Sequence, residues 1–424
     1  MTSPGITDDP ELLNHLQRVL ESLSHNPYPH VPNPEKCNKR ASVALVLRVR
    51  PNYHHWPSVP RLDKSPPTTI AQFFEQDWVR HGDPEAVFIK RAARKGDRWT
   101  SHVALPGGKR DPEDEDDKAV AVRETVEEIG LDLNSENALY IGNLPERVVR
   151  SSMGIVPLMV LCPHVFLWTQ PDLPPLLLQP TEVASTHWVP LRVMLSPSSW
   201  TYEYVDASDR FANQGGVFVR SILRSILGKM EFSAIRLLPS ESLYSSSTSE
   251  FFSPGTSTTQ ASGRSIFSRW WNGGEVHPAD KTNPLLLWGL TLGVFADFLA
   301  QLPPHNAVQL WSYPTFTSPD VRMAINLLTH SLKRRNEANL QSPGVSQIAV
   351  DSETQAIATE DSINNQVTPA AKGKNDSRPY AVGVMLEGYY DLVRQGVWIA
   401  ASVRAITTAV LIFKLVRRFR WSGA

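Results

Sequence analysis

The stretch 105–131, LPGGKRDPEDEDDKAVAVRETVEEIGL, constrains this chain more than any other. From Asp117 to Ile129 there is neither Gly nor Pro, acidic residues crowd the start, and Gly130 stands where a helix cap belongs. A helix of about three and a half turns is expected there. Its period places Ala119, Val122, Val126 and Ile129 on a stripe facing a core, and Glu124, Glu127 and Glu128 on the other side. Three carboxylates at that spacing repel, and no Lys or Arg lies four residues from Glu124 or Glu128 to relieve them. A hard divalent cation suits such a set, because it takes carboxylate oxygens and completes its shell with water and phosphate oxygens. A solvated acidic face is the ordinary alternative. The preceding loop decides against it: Pro106-Gly107-Gly108 lets backbone N–H groups approach phosphate oxygens, Lys109 and Arg110 add positive charge, and Asp111 and residues 113–116 add carboxylates.

These residues resemble a Nudix box, whose pattern is Gly, five residues, Glu, seven residues, Arg-Glu, an aliphatic, any residue, Glu-Glu, any residue, Gly, an aliphatic. The run Arg123-Glu124-Thr125-Val126-Glu127-Glu128-Ile129-Gly130-Leu131 fits it, with Thr125 in an aliphatic slot. Counting back from Arg123 reaches Glu115 as the loop acid, but Gly108 is then one residue too far away. Either the loop carries an extra residue or Asp114 takes the acid's place. Further on, Glu182-Val183 and His187-Trp188-Val189-Pro190-Leu191 look like the late strand and turn of Nudix domains. The resemblance implies an α/β fold, a Nudix-type α/β/α sandwich with a mixed sheet, here with long insertions and a C-terminal helical extension. It implies Mg2+ or Mn2+ held by Glu124, Glu127 and Glu128 with Glu115, Arg123 bracing the loop acid, and Glu127 or Glu182 as general base.

Arg91, Arg94 and Arg98 lead into Ser101-His102-Val103-Ala104-Leu105, similar to the motif that coenzyme A-directed Nudix enzymes carry before their glycines. The arginine spacing is one longer here, and Ser101 replaces a Gly. Trp288-Gly289-Leu290-Thr291 resembles the opening of the last helix in the same enzymes. By that likeness the substrate is coenzyme A or acyl-coenzyme A, bound through Arg91, Arg98, Gly107, Gly108 and Lys109 and cleaved to 3′,5′-ADP and (acyl-)phosphopantetheine. The alternatives are a broader nucleotide-sugar or dinucleotide hydrolase, and a membrane-tethered, non-catalytic Nudix scaffold.

The rest of the chain frames this core. A net charge of -1 gives no basic field for nucleic acid. Two cysteines, Cys37 and Cys162, offer neither a disulfide framework nor a zinc cluster and fit a reducing interior. No secretory or transit signal is visible at the start, so an intracellular site is expected, cytoplasmic, mitochondrial or membrane-associated. Residues 1–37 read as a helical arm with a leucine stripe from Leu12 to Leu23, and 38–304 as the Nudix domain. Strands are expected at 41–49, 86–90, 154–162 and 232–237, and a helix at 222–227. His54 and His55 fall in a Pro-bearing surface loop. A Ser/Thr-rich stretch at about 240–282 reads as a disordered insertion. The apolar run 285–302 is too short and too interrupted for a bilayer span and reads as the closing core helix. Beyond it are expected a helical extension at 305–335, a polar linker at 336–378, and a helical segment at 379–424. Within the last, 396–413 carries a single charge, Arg404, and a basic flank follows it. That run fits either a membrane helix or one folded back on the domain.

Overall fold

The computed structural model describes residues 10–35, 37–52, 66–93, 102–150, 156–206, 227–237, 245–247, 285–341 and 381–422. The loop bearing His54 and His55, all but the last residue of the helix expected at 222–227, nearly all of the 240–282 insertion and the linker from 342 to 380 lie outside the described residues.

A mixed nine-stranded sheet organises the larger unit. At its centre β1 (Arg40–Arg50) runs antiparallel to β2 (Asp83–Arg91) and parallel to β7 (Pro157–Trp168). Short strands β3 (Val103–Ala104), β4 (Gly107–Lys109) and β6 (Arg147–Arg150) add to β2, β1 and β7 respectively. β5 (Ala138–Asn143) lies outside β7, while β8 (Val183–Pro190) lies outside β2 and is bordered in turn by β11 (Ser245–Ser247).

Alternation along β1 explains the layers. Ala44 and Val46 join a core shared with Val122, Ile129 and Trp188, whereas Leu45, Leu47 and Val49 join a second core on the opposite face. The first core is covered by α4 (Asp117–Ile129), the second by α1 (Pro10–His25) and α6 (Gly289–Leu299). The leucine stripe of the N-terminal arm is buried throughout, from Leu12 at 3% exposed to Leu20 at 0%. The result is an α/β/α sandwich. Short helices α2 (Ile70–Phe74), α3 (Asp77–Arg80), α5 (Leu191–Leu195) and α7 (Ala307–Leu310) fill the connections.

A smaller antiparallel sheet flanks this unit. β10 (Lys229–Leu237) pairs with β9 (Trp200–Asp206), β12 (Leu285–Trp288) and β13 (Thr315–Phe316). The closing run is therefore a strand before it is a helix: Leu285–Trp288 pairs in register with β10, and only from Gly289 does the chain coil. Apolar composition without period does not separate a buried strand from a buried helix.

Helices α8 (Pro319–Gln341), α9 (Ala381–Leu386) and α10 (Tyr389–Ser422) complete the structure. α8 continues past Arg335, the expected end of the extension, because Asn336 is buried against α9 and donates from Nδ2 to the carbonyls of Met385 and Glu387 at 3.0 and 3.1 Å. Asp297, 5% exposed on α6, ties these helices to the sandwich. It accepts from the Val382 backbone N–H at 2.9 Å and pairs with Arg147, which also donates to the Gly293 carbonyl at 2.8 Å. Removing one partner of a buried ion pair strands the other, so Asp297→Ala is expected to lower the unfolding free energy by about 3–5 kcal/mol. Urea titration checks this, and a loss below about 1 kcal/mol would show that α9 docks without it.

Candidate active site

The carboxylate helix α4 begins and ends where its sequence dictates. Asp116 accepts from the Ala119 N–H at 2.7 Å as N-cap, and Gly130 closes the other end at φ +73°. Its buried face is Val120, Ala121, Val122, Thr125, Glu128 and Ile129. The expected stripe was rotated, since Val126 is 41% exposed and Thr125 takes the core position. Thr125 is accommodated because its hydroxyl donates to the Ala121 carbonyl at 2.7 Å, hiding its polarity within the helix. The three carboxylates consequently differ in depth: Glu127 is exposed, Glu124 is partly buried and Glu128 is 1% exposed.

The glycine bend lies directly against these carboxylates. Gly107 donates its N–H to Glu128 Oε2 at 2.9 Å. Its φ of +152° is open to glycine, and a Cβ there would stand 2.2 Å from the Ser42 carbonyl oxygen of β1. At Gly108 a Cβ would stand 2.1 Å from Glu124 Oε1. The bend is thus threaded between a strand backbone on one side and a carboxylate on the other.

Burial pushes the Glu128 carboxyl up to about 8, against the Gly107 N–H and the Arg91 charge, with Glu124 and Glu182 raising it further. Burial also raises Glu124, opposed by Arg123 and reinforced by Glu127 and Glu182. Four carboxylates therefore share one electrostatic neighbourhood. An all-oxygen donor set in which ionisation is penalised suits a hard divalent cation, and the residues present fit Mg2+ or Mn2+.

Arg123 locks the loop to the helix. It donates to Asp114 at 2.9 and 3.0 Å, to Glu124 at 3.2 Å, to Glu127 at 3.1 Å and to the Lys109 carbonyl at 3.1 Å. Asp114, its side chain 6% exposed, is held well below the usual carboxylate range by the Arg123 hydrogen bonds. Glu115, expected as a ligand from the count back from Arg123, is exposed and contributes its carbonyl to Arg110 at 2.9 Å. The correction was readable from the other end, because five residues separate Gly108 from Asp114. The extra residue lies between the acid and the helix arginine.

Arg91 is brought to the site by β2, its N–H bonded to the His102 carbonyl at 2.9 Å and its charge felt at Glu128. Glu182 follows suit, its carbonyl accepting from the Ala92 N–H at 2.7 Å. Lys109 is exposed at the end of β4, and Arg98 lies outside the described residues. Trp288 packs on His102 with ring centroids 4.8 Å apart, joining the start of α6 to the strand that follows the arginines.

A second group, His30, Asp117 and Glu146, brings three ligand atoms within 4.8 Å of one another. It already holds a cation: Arg40 donates to Asp117 at 2.8 Å and to Glu146 at 2.7 Å. No pattern in the sequence announced this network, whose members lie on α1's following loop, β1, α4 and the β5–β6 turn.

The family description NUDIX domain matches residues 78–207. An uncharacterized protein of Schizosaccharomyces pombe is 30% identical over 327 residues, covering 77% of this chain and 83% of its own. The chain belongs to the Nudix family. With the helix, bend and carboxylates assembled as above, it is a Nudix hydrolase. Shorter Nudix matches include peroxisomal coenzyme A diphosphatase NUDT7 of Mus musculus, 32% identical over 27% of this chain and 44% of that protein. Mitochondrial coenzyme A diphosphatase NUDT8 of Mus musculus is 37% identical over 18% of this chain and 36% of that protein. The chain thus spans less than half the length of either enzyme. Among solved structures, the Nudix hydrolase RenU from M. Smegmatis is similar at 16% identity, covering 37% of this chain and 73% of that one, with a TM-score of 0.24.

The two glycines of the bend separate stability from chemistry. Gly107→Ala meets backbone at an unfavourable φ and is expected to destabilise the fold by about 1–3 kcal/mol. Gly108→Ala meets the movable end of Glu124, so thermal stability should stay near that of the parent while turnover falls about tenfold or more. Parallel melting curves and hydrolysis rates check the pair. Equal melting losses in both would contradict the assignment.

Proposed function

We propose that the chain is a divalent-cation-dependent diphosphatase that cleaves coenzyme A or acyl-coenzyme A to 3′,5′-ADP and (acyl-)phosphopantetheine. The reading is carried by Glu124 and Glu128 lying against the Gly107–Gly108 bend, with Glu182 acting on both carboxyls, Glu127 on Glu124, and Arg91 on Glu128. Glu124, Glu127 and Glu128 hold the cation, which when bound neutralises charge on the diphosphate and polarises the attacking water.

The remaining tasks are assigned to neighbouring groups. The bend presents no side chain to obstruct a phosphate, and Arg91, Lys109 and Arg98 are assigned to supply positive charge to it. Arg123 is committed to Asp114, Glu124 and Glu127 and so positions the carboxylates. Glu127 and Glu182, both exposed beside the buried pair, are the candidates to receive the water's proton. The coenzyme A assignment is supported by the relatives NUDT7 and NUDT8 and by the Trp288–His102 contact between the α6 opening and the arginine strand. The names of those relatives and the two buried free cysteines favour an intracellular compartment.

A cation-replete assay over coenzyme A, acyl-coenzyme A, NADH and ADP-ribose tests the substrate. Release of 3′,5′-ADP is expected to dominate, with Glu124→Gln and Glu128→Gln each reducing it about a hundredfold or more. Faster cleavage of NADH or ADP-ribose would point instead to a broader nucleotide hydrolase.

A pH series on cation binding tests the buried carboxyl. The Glu128 carboxyl is raised to about 8, so below that pH a cation must displace its proton. Affinity measured by calorimetry is expected to rise about tenfold per pH unit between pH 6 and 8 and then level off. In cation-free protein the sign reverses for folding: the stability contributed by the neutral acid is full below its ordinary range and lost as pH rises through about 8. A flat affinity profile would show that Glu128 is not a ligand.

A further inference from the structure

Helix α10 is packed at one end and bare over most of the rest. Its first turns lie on α8, with Tyr389 and Val393 buried. Gly396 makes the approach close, since a Cβ there would lie 2.9 Å from Ile325 Cγ1. From Ile399 to Val416 only Ala400 is buried, and the nine large apolar side chains of this stretch are 46–66% exposed. Thr407 within it hides its polarity, its hydroxyl donating to the Val403 and Arg404 carbonyls, each at 2.9 Å.

The distribution of these side chains decides what covers them. Successive residues of a helix turn by about 100°, so Val410, Leu411, Ile412 and Phe413 between them face every direction. A partner helix or a second copy covers one side of such a surface and leaves the other in water. A helix apolar all round belongs inside a protein core or inside a bilayer, and among the described residues no protein encloses this one. The length agrees with a bilayer: residues 399–416 make about 27 Å of helix, against the ~30 Å of a hydrocarbon core.

The charges fit the two ends of a span. Arg404 lies about 7.5 Å in from the near end, and it is paired with Asp320 at the start of α8. Lys414, Arg417 and Arg418 stand at the far end, within reach of headgroup phosphates. Trp398, 69% exposed, takes the near interface. The geometry points to residues 399–416 as a single bilayer-crossing anchor, with α8, α9 and the sandwich on one side and the basic end from Arg417 on the other. Tyr389, Val393 and Gly396 precede the span and stay on α8, whose first turns rest at the membrane surface and expose Met323 and Leu327. The inference does not depend on which diphosphate the enzyme cleaves.

Reconstitution of the full chain tests it. Mixed in detergent with preformed phosphatidylcholine vesicles and then freed of detergent, the chain is expected to float with them in high salt and after alkaline carbonate alike, without an anionic lipid. Cys37 and Cys162 are buried, so an introduced surface cysteine is the one an impermeant maleimide reaches. Asp391→Cys is expected to label in intact vesicles, and Arg418→Cys only once detergent is added. Ile406→Lys with Val410→Lys should lower carbonate-resistant flotation about tenfold or more. The melting temperature in detergent should stay unchanged, because both side chains are exposed. Release by carbonate, binding only to vesicles containing phosphatidylserine, or labelling of Arg418→Cys without detergent would put the helix on the membrane surface and overturn the proposal. So would full flotation of the double-lysine variant, or no flotation of the parent, whether or not sedimentation then shows copies pairing through the helix.

Discussion

The site depends on one steric fact: the chain crosses between β1 and α4 where there is no room for a side chain. Gly107 presses on the backbone of Ser42, and Gly108 on the carboxylate of Glu124. That proximity lets the Gly107 N–H reach Glu128, 21 positions away along the chain. It also fixes how deep Glu128 is held, and depth is what drives its carboxyl up to about 8. The bend and the helix are therefore one device. Widening the bend by a methyl group alters the charge state and position of the acids behind it.

Much of this was legible. The bounds of α4, its acidic cap and its closing Gly130 follow from composition at the helix ends, where local hydrogen bonds dominate. The buried leucine arm follows from helical periodicity, β1 and β2 from short apolar runs, and β8 from the resemblance of 182–191 to the late Nudix strand. What was not legible depended on tertiary neighbours. Thr125 reads as polar until its hydroxyl is seen returned to the Ala121 carbonyl, and Val126 reads as core until the sheet defines which side of the helix is covered. Leu285–Trp288 became a strand because β10 presented an edge to it.

Arg40 shows how the architecture separates a cation site from an acidic cluster. Asp117 is the first residue of α4, and Glu146 and His30 approach it from two other segments. An arginine from the centre of the sheet fills the space between them and ties the start of the helix to β1. The carboxylates at the far end of the same helix receive one arginine along their exposed side, Arg123, and keep their inner side toward the bend. One helix thus carries an internally neutralised end and an end that attracts an external charge.

The pairing of β11 with β8 has a consequence for the outermost strand of the large sheet. Without Ser245–Ser247, the rim of β8 from Ser185 to His187 would present unpaired backbone donors and acceptors, the template by which sheets of separate molecules zip together. A few residues out of a Ser/Thr-rich insertion shield that rim. Three residues of that insertion thus give the border the backbone partner it would otherwise lack.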